Sequence, residues 1–432
     1  MFKRGLCMLS ISFRHSRVSS DSSLKKKLNK HIKVVKTEIK KKYKSDFASL
    51  FLPDDNELLK RVKNLAKKYK SIEYIIVVGI GGSNLGTIAV ADAVLGKAHR
   101  MHRNKTKMLF CDTVDADWVK DIQHVMADAL KKKKKVLLNI VTKSGTTTET
   151  IANAQILIKT LKKYRKDWKK YTVITTNFGS KLWHLAKKQE LQTLEIPVLV
   201  GGRYSVFSAV GLFPLAVLDI DVANLVRGAR VMRNLCLNNN SPAALGALHL
   251  FKHHKKRNVY DLFIFSKDLE GVGKWYRQLM GESIGKEWNR SHTKRVWSGI
   301  TPTVSVGSAD LHSLAQLYLG GPQDKYTTFI SAKTNNSITV PKLKDFNVLV
   351  KNVQNKKLKH VMHAILQGTK IAYKKGKRPF SEISLAKKDA FHIGQLLQLK
   401  MMEIMFLGFL LDINPFDQPN VELYKKETRR LL

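Results

Sequence analysis

Apolar residues fall in short blocks separated by polar, glycine-bearing punctuation, and two periodicities alternate along the chain. Within residues 55–69, Leu58, Leu59, Val62 and Leu65 keep a helical spacing. Residues 74–78 form a compact apolar run of strand length, a glycine cluster follows at once, and a helical pattern resumes at Leu85. The same unit recurs: residues 136–141 read as a buried strand, Lys143-Ser144-Gly145 and three threonines follow, and a helix is predicted over 149–163. Another strand is predicted over 173–176, and an apolar helix over 208–218 leads toward a second unit.

That second unit has strand-like runs at 260–266 and 326–330, with helices predicted over 271–286, 311–319, 358–374 and 387–411. Asn414-Pro415-Phe416-Asp417 then stops the last helix. Strands alternating with helices imply parallel sheets with crossover connections. The fold class expected is therefore α/β, with two doubly wound parallel-sheet domains over residues 46–225 and 226–432, joined near 220–250. Residues 1–45 read as a basic N-terminal extension, disordered in part, and residues 24–70 read as basic helices.

Length and composition narrow the class. The chain has 432 residues, 44% of them apolar and 26% charged, which excludes a disordered chain. No run of about 18 apolar residues is seen, because Pro214 and Glu403 interrupt the best stretches, so no membrane span is expected. Cys7, Cys111 and Cys236 are too few and too far apart to build a disulfide framework or a zinc site by themselves, which points to a reducing, cytoplasmic setting. The first 20 residues carry Arg4, Arg14, Arg17 and several serines without an acid, a composition shared by transit peptides, a disordered extension or an early start site.

Charge is the unusual feature. Lys and Arg number 77 against 34 Asp and Glu, a formal charge of +43. The lysines are scattered, and runs such as 40–42 and 131–135 adjoin apolar-periodic stretches, so they read as solvated helix ends. Such a surface draws anionic substrates and holds nucleic acid non-specifically, more weakly as salt rises.

Candidate chemistry sits at the strand-to-helix turns. Gly79-Ile80-Gly81-Gly82-Ser83-Asn84-Leu85-Gly86 joins a strand to a helix, where glycines allow close backbone approach and free N–H groups face an anion. The spacing is neither a dinucleotide fingerprint nor a P-loop; a purely structural turn is the rival reading. Thr142-Lys143-Ser144-Gly145-Thr146-Thr147-Thr148-Glu149 stacks hydroxyls and a lysine at a second helix start, suited to a phosphate dianion, with a capping box as its rival. Two such turns on one parallel sheet favour a sugar-phosphate site at the strand C-terminal ends. Gly201-Gly202-Arg203-Tyr204-Ser205 offers a cation at close range. Glu282 ends an aromatic-bearing helix where a base could sit, and His312 follows Asp310, which reads as a helix N-cap. Taken singly, each of these three is as easily a surface residue.

In order along the chain, these motifs, with Val210 to Pro214, Trp275 to Lys286 and Pro415 to Lys425, resemble the glucose-6-phosphate isomerase (phosphoglucose isomerase) family over residues 79–425. The resemblance implies two sugar-isomerase (SIS-type) domains, a homodimer, no cofactor and no metal. It implies aldose–ketose isomerisation of glucose 6-phosphate and fructose 6-phosphate in glycolysis and gluconeogenesis. On it, Glu282 falls where the family has the base that moves a proton between C1 and C2 through a cis-enediol, and Arg203 where a cation stabilises the enediolate. His312, lent by the neighbouring subunit, and Lys425 match the positions implicated in ring opening. Gly82, Ser83, Thr142, Lys143, Ser144, Thr147 and Gly202 match the phosphate- and substrate-binding turns, and Gln418 the segment that closes over the substrate. Two departures stand out: Thr142 where the family usually has Ser, and Asn420 where many relatives have Gly. Two rival functions keep their discriminators. A broader-specificity relative would also turn over mannose 6-phosphate, and a sugar-phosphate-sensing regulator would have no need of Glu282 with Arg203 and His312.

Overall fold

The computed structural model describes residues 8–19, 21–101 and 105–432; Arg4 and Cys7 lie outside them. Strand β1 is Ser10–Ser12. Strands β2 (Tyr74–Val78), β3 (Lys107–Cys111), β4 (Val136–Val141), β5 (Thr172–Asn177) and β6 (Gln192–Ile196) follow. They form one all-parallel sheet in the order β3-β2-β4-β5-β6. Next come β7 (Val259–Phe265), the hairpin strands β8 (Lys286–Trp288) and β9 (Arg295–Ser298), then β10 (Thr301–Val306), β11 (Lys325–Ala332) and β12 (Phe380–Leu385). The second sheet has the order β1-β12-β11-β7-β10, parallel except for β1. Helices cover both faces of each sheet, so β4 is buried along its whole length and β7 along all but its first residue.

The expected strands at 74–78, 136–141, 173–176, 260–266 and 326–330 all stand within a residue or two. Strands β3, β6, β10 and β12 were not expected. Threonine, serine and glutamate interrupt the last three, and β10 also contains Pro302, which an edge strand tolerates.

Three expectations need correction. Residues 10–12 and 22–40, placed in the N-terminal extension, are folded onto the second sheet: Ser10–Ser12 pairs antiparallel with β12. Helix Ser22–Lys40 buries Leu28, His31, Ile32 and Val35 on one face. The helical reading from residue 24 stands, and the correction is that this helix is packed by its apolar stripe and is no loose extension. The helix expected over 311–319 is shorter, Ala315–Gly320, preceded by a single 3₁₀ turn at Ala309–Leu311. Asp310 is no N-cap: its Oδ2 accepts from the Val306 N–H at 2.6 Å and its Oδ1 from Ser313 Oγ at 2.8 Å.

Helix Ala390–Leu410 is long and apolar enough to cross a membrane, yet it lies in the protein core. Its two charges, Lys400 and Glu403, pair with each other, and Tyr276 OH donates to Glu403 Oε1 at 3.2 Å. Gly246 makes room for that carboxylate, since a Cβ there would stand 2.3 Å from Oε2. Against the same helix, the His31 ring stacks on Phe409 with centroids 3.7 Å apart. The His249 ring stacks on Phe13 at 4.5 Å, and His253 Nε2 meets Ser16 O at 2.7 Å, so histidines secure the N-terminal segment.

Burial, and then the charge of Arg290, lowers His31 to about 4 from 6.5. Its ring is neutral in the native protein, so this stability is full above pH 6.5 and falls as the pH drops toward 4. The loss amounts to on the order of 3 kcal/mol. A His31→Phe variant keeps the stack without the titration. Its urea midpoint is expected to fall less than that of the parent between pH 6.5 and 4.

Candidate active site

The first sheet presents its C-terminal edge through two turns. After β2, the chain passes Gly79 to Ser83 and enters helix Leu85–Leu95, with buried Asn84 donating from Nδ2 to Gly79 O at 3.0 Å. Gly81 has φ +60°, which favours glycine. Gly82 is required by crowding: a Cβ there would lie 2.2 Å from the Gly202 carbonyl carbon and 2.4 Å from its oxygen. The glycine turn and the Gly201-Gly202-Arg203 segment therefore meet backbone to backbone. After β4, Thr142 Oγ1 and Thr147 Oγ1 hydrogen-bond each other at 2.8 Å, and Thr147 makes no side-chain cap to helix Thr148–Tyr164. The capping-box alternative is thus not realised. Ser144 Oγ accepts from the Thr146 N–H at 3.2 Å.

Arg203 is the centre of the site. Its side chain is wholly buried, and a guanidinium has five N–H groups. Nε donates to Ser283 Oγ at 2.7 Å. Nη1 donates to Glu282 Oε2 at 3.2 Å and to Gln418 Oε1. Nη2 donates to the carbonyls of Pro415 at 2.6 Å and Asp417 at 2.9 Å. One side chain thereby joins the glycine segment, helix Glu270–Ile284 and the C-terminal tail. Glu282 Oε1 accepts from Gln278 Nε2 at 2.9 Å, so each oxygen of this carboxylate has one donor.

Glu282, Gln278 and Gln418 open into a cavity of about 660 Å³, whereas the wholly buried Arg203 is not part of its lining. Its wall carries Gly82, Ser83, Lys143, Ser144, Thr147, Gly202, Glu282, Gln418 and Lys425. Hollows of about 720 and 820 Å³ exist elsewhere, so volume alone does not mark the site; the convergence of both turns with Glu282 and the tail does. Among the described residues Lys143 has no carboxylate partner, and burial, then the charge of Arg203, lowers its pKa. An anion entering here relieves that cost. Lys425 stands on helix Val421–Leu431, paired with Glu422 at 2.7 Å. Among the described residues no three His, Cys, Asp or Glu side chains group as a metal-ligand set.

Three expected residues stand apart from this wall, the first being the buried Arg203, which meets it only through Glu282 and Gln418. Thr142 is buried behind it, its hydroxyl spent on Thr147. His312 is exposed on the turn after β10, outside the cavity lining. Lys286 and Gln278 were not singled out from the sequence. Lys286 Nζ donates to the carbonyls of Glu282 at 2.7 Å and Asp417 at 2.6 Å, tying tail to helix. Burial and the charge of Arg203 lower its pKa. Gln278 lies one helical turn before Glu282 on the same face, a spacing that could have found it, whereas Lys286 lies past the helix end as the first residue of β8.

Two parallel sheets, with hydroxyl-rich turns at one sheet's C-terminal edge facing a carboxylate–guanidinium pair, define an α/β protein of the sugar-isomerase type. The model of the phosphoglucose isomerase family matches residues 52–432, and the chain belongs to that family. It is 33% identical over 396 residues to a glucose-6-phosphate isomerase of Carboxydothermus hydrogenoformans, covering 88% of this chain and 83% of that one. A crystal structure of a hypothetical protein from Thermus thermophilus matches with a TM-score of 0.83 and 28% identity, covering 98% of this chain and 99% of that one. The crystal structure of a glucose-6-phosphate isomerase from Chlamydia trachomatis shares the fold, with a TM-score of 0.80, 19% identity, and 98% and 88% coverage.

Two outcomes are expected. Arg203→Lys keeps the charge but offers three donors for five acceptors, so turnover should fall roughly a hundredfold or more. Limited proteolysis should then cut more readily near residue 417. Gly82→Ala should raise KM for sugar phosphate roughly tenfold by forcing the two turns apart; steady-state kinetics decides both.

Proposed function

We propose that this protein interconverts glucose 6-phosphate and fructose 6-phosphate. The observation that carries this reading is the Glu282 carboxylate on the wall of a cavity shared with Lys143 and two hydroxyl-rich turns, held 3.2 Å from the buried Arg203 guanidinium. Ser83, Lys143, Ser144 and Thr147 hold the phosphate, with Gly82 and Gly202 giving it backbone access. Binding energy from that remote end orients C1 and C2 against Glu282.

Glu282 takes the proton from C2 of the open-chain aldose, and an enediolate forms. The fixed positive charge of Arg203 stabilises it, because a guanidinium does not lose its proton. A proton passes from O2 to O1 and Glu282 returns its proton to C1, giving the ketose. The step is redox-neutral overall. Gln418 closes over the substrate, and Lys425 serves ring opening once freed from Glu422. His312 lies outside the cavity of its own chain, so in this reading a second copy lends it. The cationic surface raises the encounter rate with the anionic substrate.

Glu282→Gln should lower kcat by roughly 10²–10⁴-fold while fructose 6-phosphate still binds. Calorimetry and a coupled glucose 6-phosphate assay with EDTA read the two quantities; unchanged kcat would refute Glu282 as base. Co-expressing Glu282→Gln with His312→Ala tests the shared site. Random pairing should restore about a quarter of the working sites if His312 acts across a two-fold interface. No recovery is expected if it acts within its own chain.

A further inference from the structure

Asp261 lies in the middle of the second sheet, on β7, directly opposite Thr303 of β10 and Thr327 of β11. Its Oδ1 accepts three hydroxyls: Thr303 Oγ1 at 2.8 Å, Ser305 Oγ at 2.9 Å and Tyr318 OH at 3.2 Å. Ser305 Oγ and Tyr318 OH are themselves 3.0 Å apart. Thr303 and Ser305 belong to β10, and Tyr318 to helix Ala315–Gly320. Those elements are the two ends of the connection, residues 307–314, that carries His312.

The connection is closed at two levels. Inside it, Asp310 takes the Val306 N–H and the Ser313 hydroxyl, and the His312 N–H donates to Ala309 O at 3.0 Å. Leu314 N donates to Asp310 O at 2.9 Å, and Tyr318 N to Leu314 O at 3.0 Å. At its base, Asp261 gathers Thr303, Ser305 and Tyr318 onto one oxygen and so reinforces the direct Ser305–Tyr318 bond between the incoming strand and the outgoing helix.

The carboxyl has a costly location. Asp261 is fully buried beside the aromatic cluster of Phe263, Phe265, Phe329 and Tyr373, and its Oδ2 has no hydrogen-bond partner among the described residues. Burial pushes it up to about 6, against the three hydroxyls, with Asp310 adding to the rise. An apolar side chain would fill the place at lower cost. What the carboxyl supplies instead is a three-way tie beneath one exposed histidine.

We propose that Asp261 is a positioning residue for His312, acting through Thr303, Ser305 and Tyr318 to hold the ends of the His312 turn together. The functional consequence rests on the reading of His312 as a residue that reaches substrate. The phosphate turns belong to the other sheet, so the effect falls on turnover rather than on binding.

The test uses the full-length enzyme with Asp261→Val, which removes the acceptor and suits a strand, and Asp261→Asn, which keeps one acceptor oxygen. Asp261→Val should lower kcat roughly tenfold with KM for fructose 6-phosphate unchanged. Asp261→Asn should restore most of it, and in a His312→Ala background Asp261→Val should cause no further loss. An unchanged kcat in folded Asp261→Val, or the same tenfold loss on top of His312→Ala, overturns the proposal. The ¹³C–¹H signal of the His312 ring, recorded without substrate in ¹³C-histidine-labelled enzyme, gives an independent readout. It should shift in Asp261→Val and not in Asp261→Asn; an unmoved signal also overturns positioning. Full activity of His312→Ala would refute the catalytic reading of His312 alone, and the ring signal would still decide the positioning. Should Asp261→Val fail to fold, the Ser305→Ala/Tyr318→Phe pair removes two of the three ties and is read the same way.

Discussion

The buried guanidinium of Arg203 is the interaction on which the rest of the site depends. A buried cation is expensive unless every donor is met. Here Ser283, Glu282, Gln418 and two tail carbonyls meet all five. Those acceptors come from helix Glu270–Ile284 and the C-terminal tail, and Arg203 itself from a third segment far from both in sequence, so satisfying one side chain fixes their mutual placement. The tail after Asn414 has no other comparably dense anchor, and helix Val421–Leu431 buries none of its side chains. Gln418 and Lys425 reach the cavity because Arg203 and Lys286 hold the chain just before them.

A second constraint is steric. The two sheets communicate through places where only glycine leaves room. Gly82 lies against Gly202. A Cβ at Gly86 would stand 2.8 Å from Val206, and one at Gly271 would stand 3.1 Å from Ala89 Cα. Close contact there seats helix Leu85–Leu95 on helix Glu270–Ile284, which brings the glycine and threonine turns of one sheet to the carboxylate carried by the other. Charge works in the same direction. With 77 basic residues against 34 acidic ones, much positive charge remains uncompensated, and at Lys143 that excess is partly buried where an anion enters.

Much of this was legible in order along the chain. Strand, glycine turn and helix could be read at Tyr74 to Gly86, because the apolar run, the turn residues and the helical period are local signals. The motifs around Lys143, Arg203, Glu282 and Gln418 could be quoted for the same reason, and the structure gathers them into one cavity. Local pattern misled where a carboxylate resembled a cap, as at Asp310, and although it read a helix from residue 24 it did not reveal that helix Ser22–Lys40 is packed into the fold by one apolar stripe. It was silent on β10 and β12, whose polar residues serve hydrogen bonds across the sheet.

The sequence by itself determined the α/β class, the parallel strands, the family and most of the residues that line the cavity, because each rests on neighbours a few positions apart. Tertiary structure alone decided that Thr142 stands behind the wall and His312 outside the cavity. It also decided that Lys286 binds the tail and that Asp261 ties the ends of a distant turn. Those facts depend on which side chains meet across tens to hundreds of residues. Such contacts are selected by burial and by the need to satisfy polar groups once the sheets have assembled.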